Sequence, residues 1–468
     1  MRDSHPLIPN SKRVVEKRMA AIPAKGDAHA PHTNDALKEL ASVVGAENIR
    51  CYGDLSAQWQ QAIAQAVTPE TKISGVVYPG TQAELAEVVR RAYQSRWGIL
   101  PCGNGSKLSW GGLGSGINLV VSTQRLNRVI EHAVGDLTVT AEAGVKLADL
   151  QALLAQAGQF LALDPAYPKT ATLGGIVATG DAGSWRQRYG GVRDMLLGLS
   201  LVRADGAIAK AGGRVVKNVA GYDLMKLMTG SYGTLGLISQ VTFRLYPVQA
   251  NSQTVVLLGA AEAIAQATQT LLHSALTPTA LDVLSTSTVA KLQLGQGMGL
   301  VARFQSMAAS VDAQASRVLE IGRTLGLSSH LYTDAHEKQL WQQLAAPISI
   351  DNPEAIVCKI GVRPAEAIAT LAATATTCPT VTGLIHASSG LGKLYLDSQT
   401  PSPATLLELR TLYQANGGFL SILQAPIALK QQFEVWGYAG NGLDLMRRLK
   451  QQFDPQNILS PHRFVGGI

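Results

Sequence analysis

Three glycine-rich segments carry the residue types that hold a large polar ligand. The first, PCGNGSKLSWGG (101–112), is dense in Gly, Ser and Asn. Successive backbone N–H groups in such a loop form a concave nest for an anion such as a diphosphate. Glycine lets the backbone come close at φ values other residues avoid. Two nucleotide signatures do not fit: Gly103-Asn104-Gly105 runs into Ser106, Lys107 and Leu108, so the last glycine of G-x-G-x-x-G is absent. Ser106-Lys107-Leu108 likewise fails the G-K-[ST] end of a P-loop. By spacing alone the loop reads equally as a diphosphate nest or a plain surface loop.

The second segment, PKTATLGGIVATGDAGSWRQRYGGVRD (168–194), has two glycine pairs, Thr and Ser donors, and Asp181, Arg186, Arg188, Arg193 and Asp194. So many small and polar residues make poor core material and suit a segment wrapped around a polar ligand; a long irregular loop is the alternative. The third, GGRVVKNVAGYDLMKLMTGSYGTLGLISQVTFRLYP (212–247), reads as a helix from about Asp223, a glycine turn and a strand. Ile238 falls where a strand edge offers N–H and C=O groups to a planar heterocycle; an ordinary helix–turn–strand unit reads equally well.

The elements that must position these segments alternate between strand and helix. Leu37, Leu40, Val43 and Val44 have helical spacing. GVVYP (75–79) is a short apolar run, hence a strand, and Thr81 with Glu84 forms a capping box that starts a helix. GILPCG (98–103), NLVVS (118–122), VIEHA (129–133) and LTVTAEAG (137–144) read as strands, and KLADLQALLAQAG (146–158) as a helix stopped by Gly158. LLGLSLVRADGAIAK (196–210) reads as two strands joined at Asp205-Gly206. So many adjacent strands argue against a doubly wound sheet and for a mixed α and β domain. After residue 250 glycines thin out. Helices at 260–276 and 315–326 join strands at 299–304, 356–362, 393–397 and 420–426 in a second α+β unit. A helix and a proline-punctuated tail end the chain.

Length and composition bound the rest. A chain of 468 residues, 46% hydrophobic and 16% charged, needs two or more domains and buries a large core. Of the formal +7, the first 25 residues carry six basic against two acidic side chains, leaving no basic stripe for nucleic acid. Cys51, Cys102, Cys358 and Cys378 are scattered, without iron–sulfur or zinc spacing, which suits a reducing cytosol. No stretch approaches the roughly 20 apolar residues that span a bilayer. Residues 1–34, with Pro6, Pro9, Pro23 and Pro31, read as a flexible tail rather than a secretory signal.

In order, the segments resemble the vanillyl-alcohol oxidase/p-cresol methylhydroxylase (PCMH) type of FAD-binding flavoprotein. PCGNGSKLSWGG resembles the pyrophosphate loop P-R-G-G-G-T-x-L-x-G-G. Thr172-Leu173-Gly174-Gly175, leading through Ala178-Thr179 to Gly183, resembles a second element. Lys217-Asn218, Gly221-Tyr222-Asp223-Leu224 and Gly230-Ser231-Tyr232-Gly233-Thr234-Leu235-Gly236 resemble the third, and FDPQNILSPHRFVGG the ending F-D-P-x-x-I-L-N-P-G-[RK]. Within that family the chain looks most like the FAD-binding subunits of glycolate oxidase, or glycolate dehydrogenase.

The resemblance implies an α+β fold: a two-lobed FAD domain over 35–247, a cap of antiparallel sheet plus helices over 248–430, and a C-terminal segment, 431–468, returning to the FAD domain. It implies FAD on Pro101, Cys102, Gly103, Asn104, Gly105, Ser106, Lys107, Thr172, Gly174, Gly175, Thr179, Gly183 and Ile238. Cys102 stands where the family has Arg, so Lys107 becomes a candidate for the missing charge. The implied reaction is oxidation of a 2-hydroxy acid, glycolate or D-lactate, by hydride transfer to flavin with a base taking the hydroxyl proton. Metal-using relatives carry H-x-G-x-G-x-x-H; here His386 to Lys393 keeps one histidine, so no metal is expected. His386 and Arg463 remain as catalytic and anion-binding candidates. A second flavoprotein subunit and an iron–sulfur subunit are the implied partners. Localisation is expected to be cytoplasmic, or peripheral to the inner face of a membrane through those partners. A flavin-bearing accessory subunit with no turnover of its own is the other implied role.

Overall fold

The computed structural model describes residues 33–214, 222–345, 352, 354–396 and 402–468. The amino-terminal tail and Lys217 to Gly221 lie outside these. A helix begins at Thr33, and Thr81 caps the helix Gln82–Ser95 by accepting the Glu84 amide at 3.1 Å. The capping box closes one residue early: the Glu84 carboxylate takes the Gly80 amide at 2.8 Å.

Four strands form the first sheet: β1 (Ile49–Cys51), β2 (Gly75–Val77), β3 (Gly98–Cys102) and β4 (Ile117–Ser122), in the order β1-β2-β4-β3. β4 runs parallel to both β2 and β3, so the glycine loop is the crossover between β3 and β4. Parallel strands buried on both faces read as unbroken apolar runs, and β2 is buried throughout.

The second sheet is antiparallel: β5 (Val129–Ala133), β6 (Thr138–Glu142), β8 (Leu196–Val202), β9 (Ile208–Gly212) and β10 (Leu237–Arg244), in the order β5-β6-β10-β8-β9. A two-strand ribbon of β7 (Gln159–Phe160) and β11 (Tyr246–Pro247) leads out of it. The β6–β10 ladder stops at Glu142–Gln240. Ile238 is thus on a central strand, but the side of it that β6 would cover is open.

Beyond residue 250 lies one eight-stranded antiparallel sheet. Its strands are β12 (Asn251–Gly259), β13 (Ala280–Leu284), β14 (Met298–Ser306), β15 (Ser328–Thr333), β16 (Ile356–Gly361), β17 (Thr382–His386), β18 (Leu391–Leu396) and β19 (Phe419–Gln424). The order is β15-β12-β14-β13-β17-β18-β16-β19. β12, β13, β15 and β17 are additions to the sequence expectation. The sheet is more extensive than the helical spacing suggested; β12, β13 and β14 also bury Val256, Leu258, Leu284 and Val301 against the helix Asp334–Ala345 on one face, and the other face lies against the main helical core. That face carries Cys358 and Ile360 against the helices Ala367–Thr377 and Pro403–Ala415. The other face carries Lys359, Lys393, His386 and Asp282, aligned by the Lys359–Lys393, Leu384–Lys393 and Asp282–His386 registers.

The tail joins the first sheet. Ile99 donates to the Ile458 carbonyl at 2.6 Å, and Ser460 donates to that of Ile99 at 2.8 Å. Asp454, buried, turns the chain by accepting the Ile458 and Leu459 amides at 3.0 and 2.7 Å. Lys450 pairs with it at 2.6 Å and donates to the Thr234 and Leu459 carbonyls. Removing one partner of a buried pair strands the other charge, at about 3–5 kcal/mol. Asp454→Ala should lose on the order of that much in urea unfolding, and an unchanged midpoint would contradict this account of the tail.

Candidate functional site

β3 delivers Pro101 and Cys102 to the glycine loop. Among the described residues, the five amides of Gly103 to Lys107 donate to no protein acceptor. Gly105 has φ +77°, the left-handed region that turns neighbouring amides to one side. The carbonyls that follow are held from behind. Arg463 donates to those of Leu108 and Trp110, and Lys430 to those of Ser109 and Gln65. On the other flank Ser122 Oγ donates to the Gly103 carbonyl at 2.8 Å.

Facing the loop is the short helix Leu173–Thr179, capped by Thr172. A side chain at Gly103 would put its Cβ 2.0 Å from Thr172 Oγ1, and one at Gly174 would meet the Ala143 methyl at 2.8 Å. Close approach of loop, helix and β6 therefore requires glycine at both. Between them lies a cleft. Every expected cofactor position except Gly183 lines it, Ile238 with its open strand side included. Unpaired amides and a cradle that a Cβ would fill fit a dinucleotide. Tyr232, Gly233 and Gly236, from the Gly230–Gly236 motif, also line it and add to the expected cofactor positions.

Gly183 belongs elsewhere. Its amide donates to Asp164 Oδ1 at 2.9 Å, the Trp185 amide donates to Oδ2 at 2.9 Å, and Gly183 lines a second, larger chamber under the cap sheet. Lys107 also departs from expectation. Its ammonium turns from the loop to Asp181 at 2.9 Å, so it leaves the charge of the absent arginine unreplaced. Lys393, from the cap, meets the other oxygen of Asp181 at 3.0 Å. Burial opposes ionisation of Asp181, but the two ammoniums prevail and hold its carboxyl below the usual range. Burial pushes the Cys102 thiol up to about 12, which leaves it a neutral small side chain rather than a nucleophile.

A narrow recess lined by Trp110, Thr179, Tyr232, His386 and Lys393 lies between the cleft, with which it shares Thr179 and Tyr232, and the chamber, with which it shares His386 and Lys393. His386 Nδ1 lies 2.6 Å from Asp282 Oδ1, and both side chains are buried. Asp164 stands in the same chamber, where burial pushes its carboxyl up to about 6 against the two amides and His386. Arg463 braces the loop by donating to two of its carbonyls, keeps a buried Nε without a hydrogen-bond partner, and lines the cleft rather than the chamber.

Two family models match the chain. Residues 73–212 match an FAD binding domain and residues 429–464 the C-terminal domain of FAD linked oxidases. Glycolate oxidase subunit GlcD of Bacillus subtilis is 29% identical over 57% of this chain and 57% of its own length. Glycolate oxidase subunit GlcE of Escherichia coli is 38% identical over 35% of this chain and 46% of its own. The matched region thus spans about half the length of these relatives. Crystalline p-cresol methylhydroxylase with substrate bound superposes with a TM-score of 0.73 at 15% identity, covering 92% of this chain and 96% of that one. The chain has the PCMH-type α+β fold, with an amino-terminal segment that matches an FAD binding domain and a tail that matches the C-terminal domain of the FAD linked oxidases.

Proposed function

We propose that this chain oxidises a small 2-hydroxy acid, of the glycolate or D-lactate class, as a subunit of a dehydrogenase complex. The names of the two glycolate oxidase relatives support the substrate class. The observation that carries the reading is the buried His386–Asp282 pair, placed where the cap sheet meets the recess between cleft and chamber. The unpaired amides of Gly103 to Lys107 would hold the FAD diphosphate, and the open side of Ile238 a ring of the cofactor. Bound FAD supplies the acceptor for a hydride from the substrate Cα. With Nδ1–H donated to Asp282, His386 presents Nε2 to take the hydroxyl proton, and the carboxylate stabilises the imidazolium that results. Tyr232 and Trp110, on the recess wall, exclude water from the reacting atoms.

A second reading is favoured by Lys393. It takes the place of the last histidine in the H-x-G-x-G-x-x-H element, and its ammonium is bound to Asp181. Among the described residues no three metal-ligating side chains cluster. That arrangement suits a flavin-bearing subunit that stabilises its complex and passes electrons to a second flavoprotein and an iron–sulfur subunit, without turnover alone. No helix among the described residues is long and apolar enough to cross a membrane, and a cytoplasmic or membrane-peripheral place for the complex belongs to the same proposal. Mixing the purified, FAD-loaded chain anaerobically with glycolate or D-lactate separates the readings. Bleaching of the flavin supports the enzyme, and an unchanged spectrum the accessory subunit.

Three outcomes follow from the geometry. Gly103→Val should yield folded protein with little bound FAD, measured by flavin absorbance after desalting; full occupancy would contradict the cleft assignment. His386→Ala should slow flavin reduction about 10²–10⁴-fold, the usual worth of a general base, with FAD content retained; an unchanged rate would remove His386 from the chemistry. Asp164 binds its proton more tightly folded than unfolded, so the stability it contributes at low pH is lost as pH rises from about 4 to 6. The stability of Asp164→Asn relative to the parent should therefore improve across that window in urea titrations, and a pH-independent difference would count against the burial argument.

A further inference from the structure

The recess holds more positive charge than its own carboxylates neutralise. Lys359 and Lys393 stand directly opposite each other on β16 and β18, on the same face of the cap sheet. Like charges in that register repel. Lys393 is relieved by Asp181, but both oxygens of Asp181 are taken: Oδ1 by Lys393, and Oδ2 by Lys107 and by the Ala166 amide at 2.7 Å. Among the described residues, no hydrogen bond or ion pair reaches the Lys359 ammonium, which lines the recess beside His386. Arg186 lines it too, and its Nε is buried without a hydrogen-bond partner. Of the other carboxylates nearby, Asp164 takes two amides, Asp282 meets His386 through Oδ1 with its Oδ2 left without a hydrogen-bond partner, and Asp194 acts on Arg186 from a distance. Burial pushes Lys359 down, with Asp181 opposing and Arg186 and Lys393 adding to the fall. A half-buried cation facing two others without a carboxylate of its own costs stability, and such residues persist where a ligand uses them.

We propose that Lys359 and Arg186, with Lys393 beside them, form an anion subsite that takes the carboxylate of the substrate next to His386. A single carboxylate between Lys359 and Arg186 satisfies both cations and sets the adjoining carbon beside the imidazole. The subsite rests on the 2-hydroxy-acid reading only for the identity of its anion.

Oxalate, a two-carbon anion that has no hydrogen to transfer, is the probe. Titrated into the FAD-loaded full chain at constant ionic strength, it should perturb the flavin spectrum saturably. Lys359→Met should weaken that binding by at least about tenfold, while Lys359→Arg keeps it within a few-fold. Lys359→Met should also melt higher than the parent, because it removes the repulsion with Lys393. Unchanged oxalate affinity in Lys359→Met, no saturable response in the parent, or a lower melting temperature for Lys359→Met would each overturn the subsite. If 2-hydroxy acids reduce the flavin with the same KM in Lys359→Met, the subsite fails and the oxidase reading stands. If none reduces the flavin but oxalate binding depends on Lys359, the subsite stands and the oxidase reading fails.

Discussion

Two buried cations hold the carbonyl groups behind the glycine loop. Arg463, from the returning tail, and Lys430, from the segment before it, bind the carbonyls of residues 108 to 110. The loop amides are oriented from their own peptide planes: the carbonyls of Cys102, Gly103 and Gly105, coplanar with the amides of Gly103, Asn104 and Ser106, accept from Thr123, Ser122 and Leu108. The tail is held in place by the Lys450–Asp454 pair and by its strand-like join to β3. The last thirty residues are thus part of the machinery that braces the loop. Removing a cation here would leave buried carbonyls without a donor just after the loop.

A second constraint ties the cap to the lobe beneath it. Asp181 receives one ammonium from the glycine loop and one from β18. Three segments far apart in sequence meet at one carboxylate, close to the recess where chemistry is proposed. Breaking such a pair costs far more than it contributes as a whole, because the surviving charge stays buried. The junction therefore sets geometry more than it supplies stability. It also explains why Lys107, next in sequence to the unpaired amides, is not available to a phosphate.

The glycine loop, the Leu173–Thr179 segment and the strand around Ile238 were legible because glycine at close approaches and alternating strands leave local marks. Thr81 and the Asp205-Gly206 turn were legible for the same reason. Gly183 was misplaced, and the partners of the Lys107 and Arg463 side chains were not legible, because each residue lies beside a real motif while its partner is remote: Asp164, Asp181 and the loop carbonyls. Nothing local says which way a lysine after a glycine loop will point. β12, β13, β15 and β17 escaped notice because their apolar runs are short and sit next to longer helical patterns; only pairing across the sheet distinguishes them. Asp282, 104 positions from His386, could not be joined to it from spacing at all.

Everything functional depends on the amides of Gly103 to Lys107 gripping a diphosphate. The direct measurement is a titration of the flavin-stripped chain with FAD and, separately, with riboflavin, which has the ring but no phosphate. FAD should bind at least about a hundredfold more tightly, since charge-assisted bonds to several amides are each worth on the order of 1.5–3 kcal/mol. Equal affinity for the two would mean that the loop does not hold the diphosphate.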